Sequence, residues 1–111
     1  FIRCSFYELV SRYLSSCYTF AIEQNNPVGR SDFEMTGIPG TDYYTDDRVV
    51  EFKYYHAKEA DRILSLTEPL TEHVQQVKGY AEDTKKKFPN YNVRSYVVYI
   101  CANKGWKCWE V

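Results

Sequence analysis

The spacing of apolar and polar positions changes several times along the chain, and each change predicts a new element. Residues 2–17 place apolar side chains every three or four positions, which is the pattern of one helix face. Segment 18–22 alternates apolar residues with polar or small ones, which predicts a strand that the turn residues 25–27 close. A second strand is predicted over 29–36, and a β-branched and aromatic third strand over 48–55. Three consecutive strands with short connections predict an antiparallel meander.

Helices and further strands are predicted after the meander. Residues 57–64 fit a short helix. Residues 70–88 fit a long helix with one apolar face, formed by Leu70, Val74, Val77, Ala81 and Phe88. Segment 93–101 is apolar on both faces, as expected of a central strand covered on each side, and a last strand follows a turn at 103–105. The predicted order is therefore αβββαβ with one extra strand.

Length and charge limit the function classes that the chain can serve. With 111 residues, 44% of them apolar and 26% charged, the sequence predicts a single packed domain. The net charge is −1, whereas proteins that hold DNA through many phosphate contacts are usually strongly basic. This argues against a stand-alone tight DNA binder, but it leaves room for a catalytic domain whose substrate a partner delivers.

The cysteines and the first residue lead to expectations about cellular context. The four cysteines form no Cys-x-x-Cys pair, and three of them fall on apolar stripes, so we expect reduced thiols and a cytoplasmic location. No apolar run approaches the roughly 20 residues of a membrane helix, so no membrane partner is expected. Because the chain begins at Phe1, we expect residues 1–111 to be one domain of a longer protein.

The candidate chemistry lies in strands two and three. Side chains alternate along a strand, so Glu51 and Lys53 project together from the face opposite Val50 and Phe52. If strands two and three pair, Asp32 lies beside Glu51. Two carboxylates next to a lysine suit a hard divalent cation such as Mg²⁺ or Mn²⁺, which can activate a water and polarise a phosphodiester.

The Glu-x-Lys pattern alone also fits an ion pair on an exposed sheet face. In this chain the pair is embedded in the apolar residues 49–54, where unpaired charges are costly, and this favours a functional role. In the polar loop before strand three, Asp46 and Asp47 are interpreted as turn residues. Glu34 competes with Asp32 for the first ligand position, and the Gly-Arg-Ser-Asp context favours Asp32.

The order of elements and four short motifs together resemble the PD-(D/E)XK nuclease superfamily over nearly the whole chain. The motifs are the first helix, Gly-Arg-Ser-Asp at 29–32, Val-Val-Glu-Phe-Lys-Tyr at 49–54 and Gln-Val-Lys-Gly-Tyr at 76–80. More narrowly, the chain is similar to the nuclease-like domain at the C-terminus of predicted AAA-type ATPases. The resemblance implies an α/β (α+β) fold with a restriction-endonuclease-like core, in which a mixed sheet is flanked by helices. It departs from the family pattern at Ser31, where the family name has proline.

The resemblance also implies roles for individual residues. Asp32 and Glu51 correspond to the acidic metal ligands, and Lys53 corresponds to the lysine of the motif. Gln76 and Tyr80 match a Gln-x-x-x-Tyr motif whose side chains contact substrate phosphate or support the metal site. The backbone carbonyl of Phe52 is a further candidate ligand. The candidate residues are completed by Glu8, on the first predicted helix, where it is equally well explained as a solvated position.

We therefore expect a nuclease domain that hydrolyses phosphodiester bonds of nucleic acid, with DNA as substrate, by metal-activated water. The expected cofactor is Mg²⁺ or Mn²⁺, and the expected partner is an N-terminal ATPase domain in the full-length chain. Two rivals remain. One is a catalytically silent accessory domain of an ATPase that binds nucleic acid or a partner, and the other is a structural interaction domain in which Glu51 and Lys53 form only an ion pair.

Overall fold

In the part of the chain that the structure describes, five strands form one mixed sheet in the order β1-β2-β3-β4-β5. The computed structural model describes residues 18–23, 31–42 and 44–111, with the backbone alone at 18–23, 31 and 32. The strands are β1 (Tyr18–Glu23), β2 (Ser31–Gly37), β3 (Asp46–Tyr55), β4 (Asn92–Cys101) and β5 (Gly105–Glu110). The helix predicted over 2–17, and Glu8 with it, lies outside the described residues.

Strand direction follows from the connections between the strands. The first three strands form an antiparallel meander, and β4 pairs with β5 in the same way. β3 and β4 are parallel, so they need a crossover. A 3₁₀ turn (Ala57–Glu59) and two helices, α1 (Ala60–Leu64) and α2 (Thr71–Lys87), form this crossover. The predicted meander, the crossover helices and the mixed α+β architecture are confirmed.

The hydrophobic core lies between one face of the sheet and the two crossover helices. Within this core, the side chains that are fully excluded from solvent come from β3, β4, α1 and α2, and they include Val49, Val97, Ile63 and Val77. Burial of an aliphatic side chain of this size contributes about 1.5–3 kcal/mol to folding. Helix α2 contacts both β3 and β4, so its position fixes which sheet residues share the core.

One face of α2 is buried, and two of its members are polar. The buried residues, His73, Val77, Ala81 and Thr84, follow the three- and four-residue spacing of a single helix face. The predicted apolar face was wrong at Phe88, which ends up exposed because α2 ends at Lys87. His73 and Thr84 occupy the positions that a purely apolar pattern overlooks.

Two further predictions require correction. Asp46 and Asp47 are not turn residues, because they begin β3, and Asp47 pairs with Thr36 of β2 in the antiparallel ladder. β4 is an interior strand, paired with β3 and β5, but the predicted cover on both of its faces is wrong for one face. It lies next to the edge strand β5, and Val98 and Ile100 are only half-buried, whereas Val97 and Tyr99 are excluded from solvent.

Cys101 and Cys108 are free thiols, which confirms for these two residues the prediction that the cysteines are reduced. Burial raises the pKa of the Cys101 thiol, so this side chain stays protonated and packs as a small apolar group. Among the residues that the structure describes, no helix has the length and apolar character needed to cross a membrane.

Candidate active site on the helix-covered face of the sheet

The register between β2 and β3 brings the two predicted acidic ligands together along the backbone. Asp32 is the direct partner of Glu51 in the antiparallel ladder, two positions before the pairing of Glu34 with Val49. The condition stated for the sequence, that strands two and three must pair, is therefore met. A shift of one residue would have turned Glu51 to the opposite face of the sheet relative to Asp32.

Glu51 and Lys53 lie side by side on the face that the crossover helices cover. The Lys53 ammonium nitrogen is 3.7 Å from Glu51 Oε1, and the two side chains are 18% and 0% exposed. Phe52, between them in sequence, directs its side chain to the opposite face, where it packs edge-on against Phe33. The strand thus places a carboxylate inside the core and its ammonium partner at the rim.

The ion pair is not the surface pair that the sequence left open as an alternative. A carboxylate that is fully excluded from water carries a desolvation penalty of several kcal/mol, which an ammonium group at 3.7 Å offsets only in part. A buried ion pair of this kind adds little to the free energy of unfolding. It is common in sites where charge is held ready for a ligand.

Helix α2 adds the two residues of the Gln-x-x-x-Tyr motif to the same face. The Tyr80 hydroxyl donates a hydrogen bond of 3.1 Å to Glu34 Oε1 of β2. Gln76 is half-buried, and its Oε1 is sequestered from solvent with no hydrogen-bond donor among the described residues. Both side chains are therefore turned toward the sheet rather than toward solvent.

Asp47 joins this polar region from the beginning of β3. It is fully excluded from solvent, and its Oδ2 accepts a hydrogen bond of 3.2 Å from the Thr36 hydroxyl. Burial, reinforced by a hydrogen bond to the neighbouring Glu34 carboxyl and by its charge, raises the pKa of Asp47 to about 8. Asp47 is therefore a neutral acid at pH 7 and can donate a hydrogen bond to the Glu34 carboxylate.

A histidine and a tyrosine close the other end of the site. Tyr99 is the parallel-ladder partner of Lys53, and its hydroxyl accepts a hydrogen bond of 2.9 Å from the backbone N–H of Leu70, just before α2. The same hydroxyl is hydrogen-bonded to His73 Nδ1. Burial, and after it the charge of Lys53, lowers the pKa of His73, so the ring is neutral. Nδ1 of the neutral ring accepts a hydrogen bond from the Tyr99 hydroxyl.

Three features of the site were absent from the sequence predictions: the Tyr80–Glu34 bond, the buried Asp47 and the His73–Tyr99 pair. The two hydrogen bonds join residues that are distant in sequence, with separations of 46 for Tyr80 and Glu34 and 26 for His73 and Tyr99. One signal was available for Asp47. It lies an even number of positions before Glu51, so it shares the strand face of Glu51 once β3 is extended by two residues.

The donor set fits a hard divalent cation. Mg²⁺ is usually held by one or two carboxylates together with waters and phosphate oxygens, so the buried Glu51 carboxylate suits such an ion, and Asp32, its ladder partner, remains the predicted second ligand. Among the described side chains, no group of three or more His, Cys, Asp or Glu converges as a metal centre. The fit therefore depends on a small ligand set that substrate oxygens complete.

Comparison with known families identifies the class of protein. A family model of the PD-(D/E)XK nuclease superfamily matches residues 1–110, so the chain belongs to that superfamily. Nucleases of this superfamily generally use divalent metal ions. No curated protein and no solved structure matches the chain.

Proposed function

We propose that this chain is a metal-dependent nuclease domain that hydrolyses phosphodiester bonds in nucleic acid, with DNA as its substrate. One observation carries the proposal. In a chain that belongs to a nuclease superfamily, Glu51 is buried beside Lys53 and opposite Asp32 in the strand ladder. Residues directly opposite in an antiparallel pair have Cβ atoms about 5 Å apart on one face of the sheet, a spacing that one cation can bridge.

In this proposal the Asp32 and Glu51 carboxylates and the Phe52 carbonyl hold Mg²⁺ or Mn²⁺. The bound ion would lower the pKa of a water molecule and stabilise charge on the phosphate oxygens. Lys53 stands at the rim of the site, where its ammonium group orients the attacking water and offsets negative charge that develops around phosphorus. Gln76 and Tyr80, one turn apart on α2, contact the substrate phosphate or support the metal ligands.

We further propose that the domain acts in the cytoplasm, as part of a larger protein with an N-terminal ATPase domain. The support is the resemblance to nuclease-like domains of AAA-type ATPases, together with the net charge of −1. Because phosphate contacts by lysine and arginine supply most sequence-independent DNA affinity, a domain of this charge depends on a partner to concentrate its substrate.

The same charge favours one alternative function, a silent accessory domain that binds nucleic acid or a partner without cutting. Cleavage assays separate the two. Linear duplex and single-stranded DNA would be incubated with the purified domain in Mg²⁺ or Mn²⁺, alongside Lys53→Ala and the matched control Lys58→Ala, whose side chain is exposed in the 3₁₀ turn. We expect metal-dependent cleavage that Lys53→Ala abolishes and Lys58→Ala leaves intact. Absence of cleavage in the wild type would support the accessory function. Equal cleavage by the wild type and the Lys53 variant would contradict the catalytic role proposed for Lys53.

A further inference from the structure

Glu34 occupies the middle of a hydrogen-bonded chain that begins at the motif tyrosine. Its Oε1 accepts a hydrogen bond of 3.1 Å from the Tyr80 hydroxyl, which ties the middle of α2 to β2. Tyr80 is half-buried, so the ring is held by packing while the hydroxyl is held by Glu34. Hydrogen bonds to an ionised carboxylate are roughly twice as strong as neutral ones, which makes Glu34 an effective anchor for this hydroxyl.

The Glu34 carboxyl is also hydrogen-bonded to the carboxyl of Asp47. Glu34 Oε2 and Asp47 Oδ1 are both sequestered from solvent with no donor among the described residues, as expected of two carboxyl oxygens that face each other. A proton on Asp47 supplies the donor, in keeping with the hydrogen bond between the two carboxyls. Thr36 then donates to Asp47 Oδ2 from the strand position directly opposite.

This chain of contacts leaves Glu34 little freedom. Thr36 fixes Asp47, Asp47 fixes one oxygen of Glu34, and the other oxygen of Glu34 is left to hold Tyr80. We propose that Glu34 is a positioning residue of the nuclease site, held by Asp47 so that its carboxylate directs the Tyr80 hydroxyl. The inference rests on the proposed function, and it assigns Glu34 a task different from metal binding.

A metal-ligand role and a positioning role for Glu34 predict opposite responses to an isosteric change. In Glu34→Gln the amide oxygen still accepts from Tyr80, and the amide N–H replaces the shared proton as the donor to Asp47. In Glu34→Ala the hydrogen bond from the Tyr80 hydroxyl to Glu34 is lost. The alanine variant therefore tests the anchor, and the glutamine variant tests whether the negative charge of Glu34 is itself required.

The experiment is a double-mutant cycle on kcat/KM with Glu34→Ala, Tyr80→Phe and the combined variant, measured with Mg²⁺ on a linear DNA. Glu34→Gln serves as the conservative rescue. Glu82→Ala is the matched control, since Glu82 is an exposed α2 glutamate that only pairs with Lys85. Mn²⁺ affinity is measured by calorimetry on every variant, and circular dichroism establishes that each is folded.

We expect Glu34→Ala and Tyr80→Phe each to lower kcat/KM about tenfold, the effect of one hydrogen bond to a charged acceptor. The combined variant should be no worse than the poorer single variant, because both changes break the same contact. Glu34→Gln should retain activity within about threefold of wild type, a threshold of less than half the energy of one such hydrogen bond. Mn²⁺ affinity should be unchanged throughout.

Two results would overturn the inference while leaving the nuclease function in place. One is independent, multiplicative losses in the combined variant. The other is a loss of Mn²⁺ affinity in both Glu34 variants, which would make Glu34 a metal ligand. A wild type that cuts no nucleic acid, with Lys53→Ala indistinguishable from it, would overturn the proposed function and the inference together.

Discussion

Asp32 and Glu51 are direct partners in the antiparallel ladder between β2 and β3. Lys53 lies one alternation further along β3, 3.7 Å from Glu51 Oε1. A two-stranded unit with a fixed register therefore sets the relative positions of all three motif residues. Helix α2 lies over the neighbouring strand pair and brings its own polar residues to the same face. The site is positioned by rigid elements, which favours a precisely held ligand set.

Asp47 makes the stability of the protein dependent on pH. Its pKa is about 8 in the folded protein and 3.8 in the absence of burial, so the unfolded chain ionises first as pH rises. The contribution of this group to stability is fully present below pH 4 and is lost progressively up to about pH 8, at about 1.4 kcal/mol per pH unit at most. Asn at position 47 cannot ionise, so Asp47→Asn does not undergo this loss of stability. The unfolding free energy of Asp47→Asn minus that of the wild type should therefore be a few kcal/mol larger at pH 8 than at pH 4.

Urea denaturation of both proteins between pH 4 and pH 9, in chelator to exclude metal ions, measures this difference. Because the titrating groups outside this contact are common to the two proteins, subtraction isolates the Asp47–Glu34 pair. A difference in unfolding free energy that stays constant across this range would show that Asp47 ionises normally in the folded protein.

The proximity of Lys53 and His73 can be tested without any substrate. The charge of Lys53 is the second cause, after burial, of the lowered pKa of His73, whereas Glu72 acts in the opposite direction. Lys53→Met keeps the length of the side chain and removes its charge, so it should raise the pKa of His73. Glu72→Gln should lower that pKa further.

NMR titration of the His73 ring resonances provides the measurement, and His56, which is exposed, serves as an internal reference. Lys58→Met is the matched control and should leave His73 unchanged. A pKa of His73 that does not respond to Lys53→Met would place the lysine ammonium group farther from the α2 histidine than the structure has it.

Gly79 gives a prediction about the stability of α2. A Cβ at this exposed position in the helix would meet nothing within 4 Å. Alanine restricts the unfolded chain and favours helix, so Gly79→Ala should raise the unfolding free energy by about 0.5–1 kcal/mol. Gly40 is the contrasting position, because its φ of +91° strains any other residue, and Gly40→Ala should lower stability. Thermal denaturation of the two variants tests both signs, and stabilisation by Gly40→Ala would contradict the turn geometry.

The periodic parts of the chain were the ones that sequence predicted well. The alternation around Glu51 and Lys53 placed them on one face, and β2–β3 pairing then brought Asp32 opposite Glu51. Local composition misled at Asp46 and Asp47, since consecutive aspartates favour turns unless a strand partner compensates. Here the partners are Thr36 and Glu34, more than ten residues away, and burial of a carboxyl in its protonated form is invisible to a pattern of charges.

The helix contacts were unpredictable for a related reason. The spacing of Gln76, Tyr80 and His73 places them on one side of α2. It does not determine how α2 is rotated about its own axis relative to the sheet. That rotation is set by Val77, which packs in the core with residues of β3 and β4, and it decides that Tyr80 meets Glu34 while His73 meets Tyr99. The polar partners are thus a consequence of the apolar packing between them.

Mn²⁺ binding is the most direct test of the claim that Asp32 and Glu51 form a metal site. Isothermal titration calorimetry would compare the wild type with Asp32→Asn, Glu51→Gln and the control Glu82→Gln. We expect the wild type and the control to bind alike, and each ligand variant to lose at least about tenfold in affinity. Equal Mn²⁺ affinity in the wild type, Asp32→Asn and Glu51→Gln would contradict the proposed site.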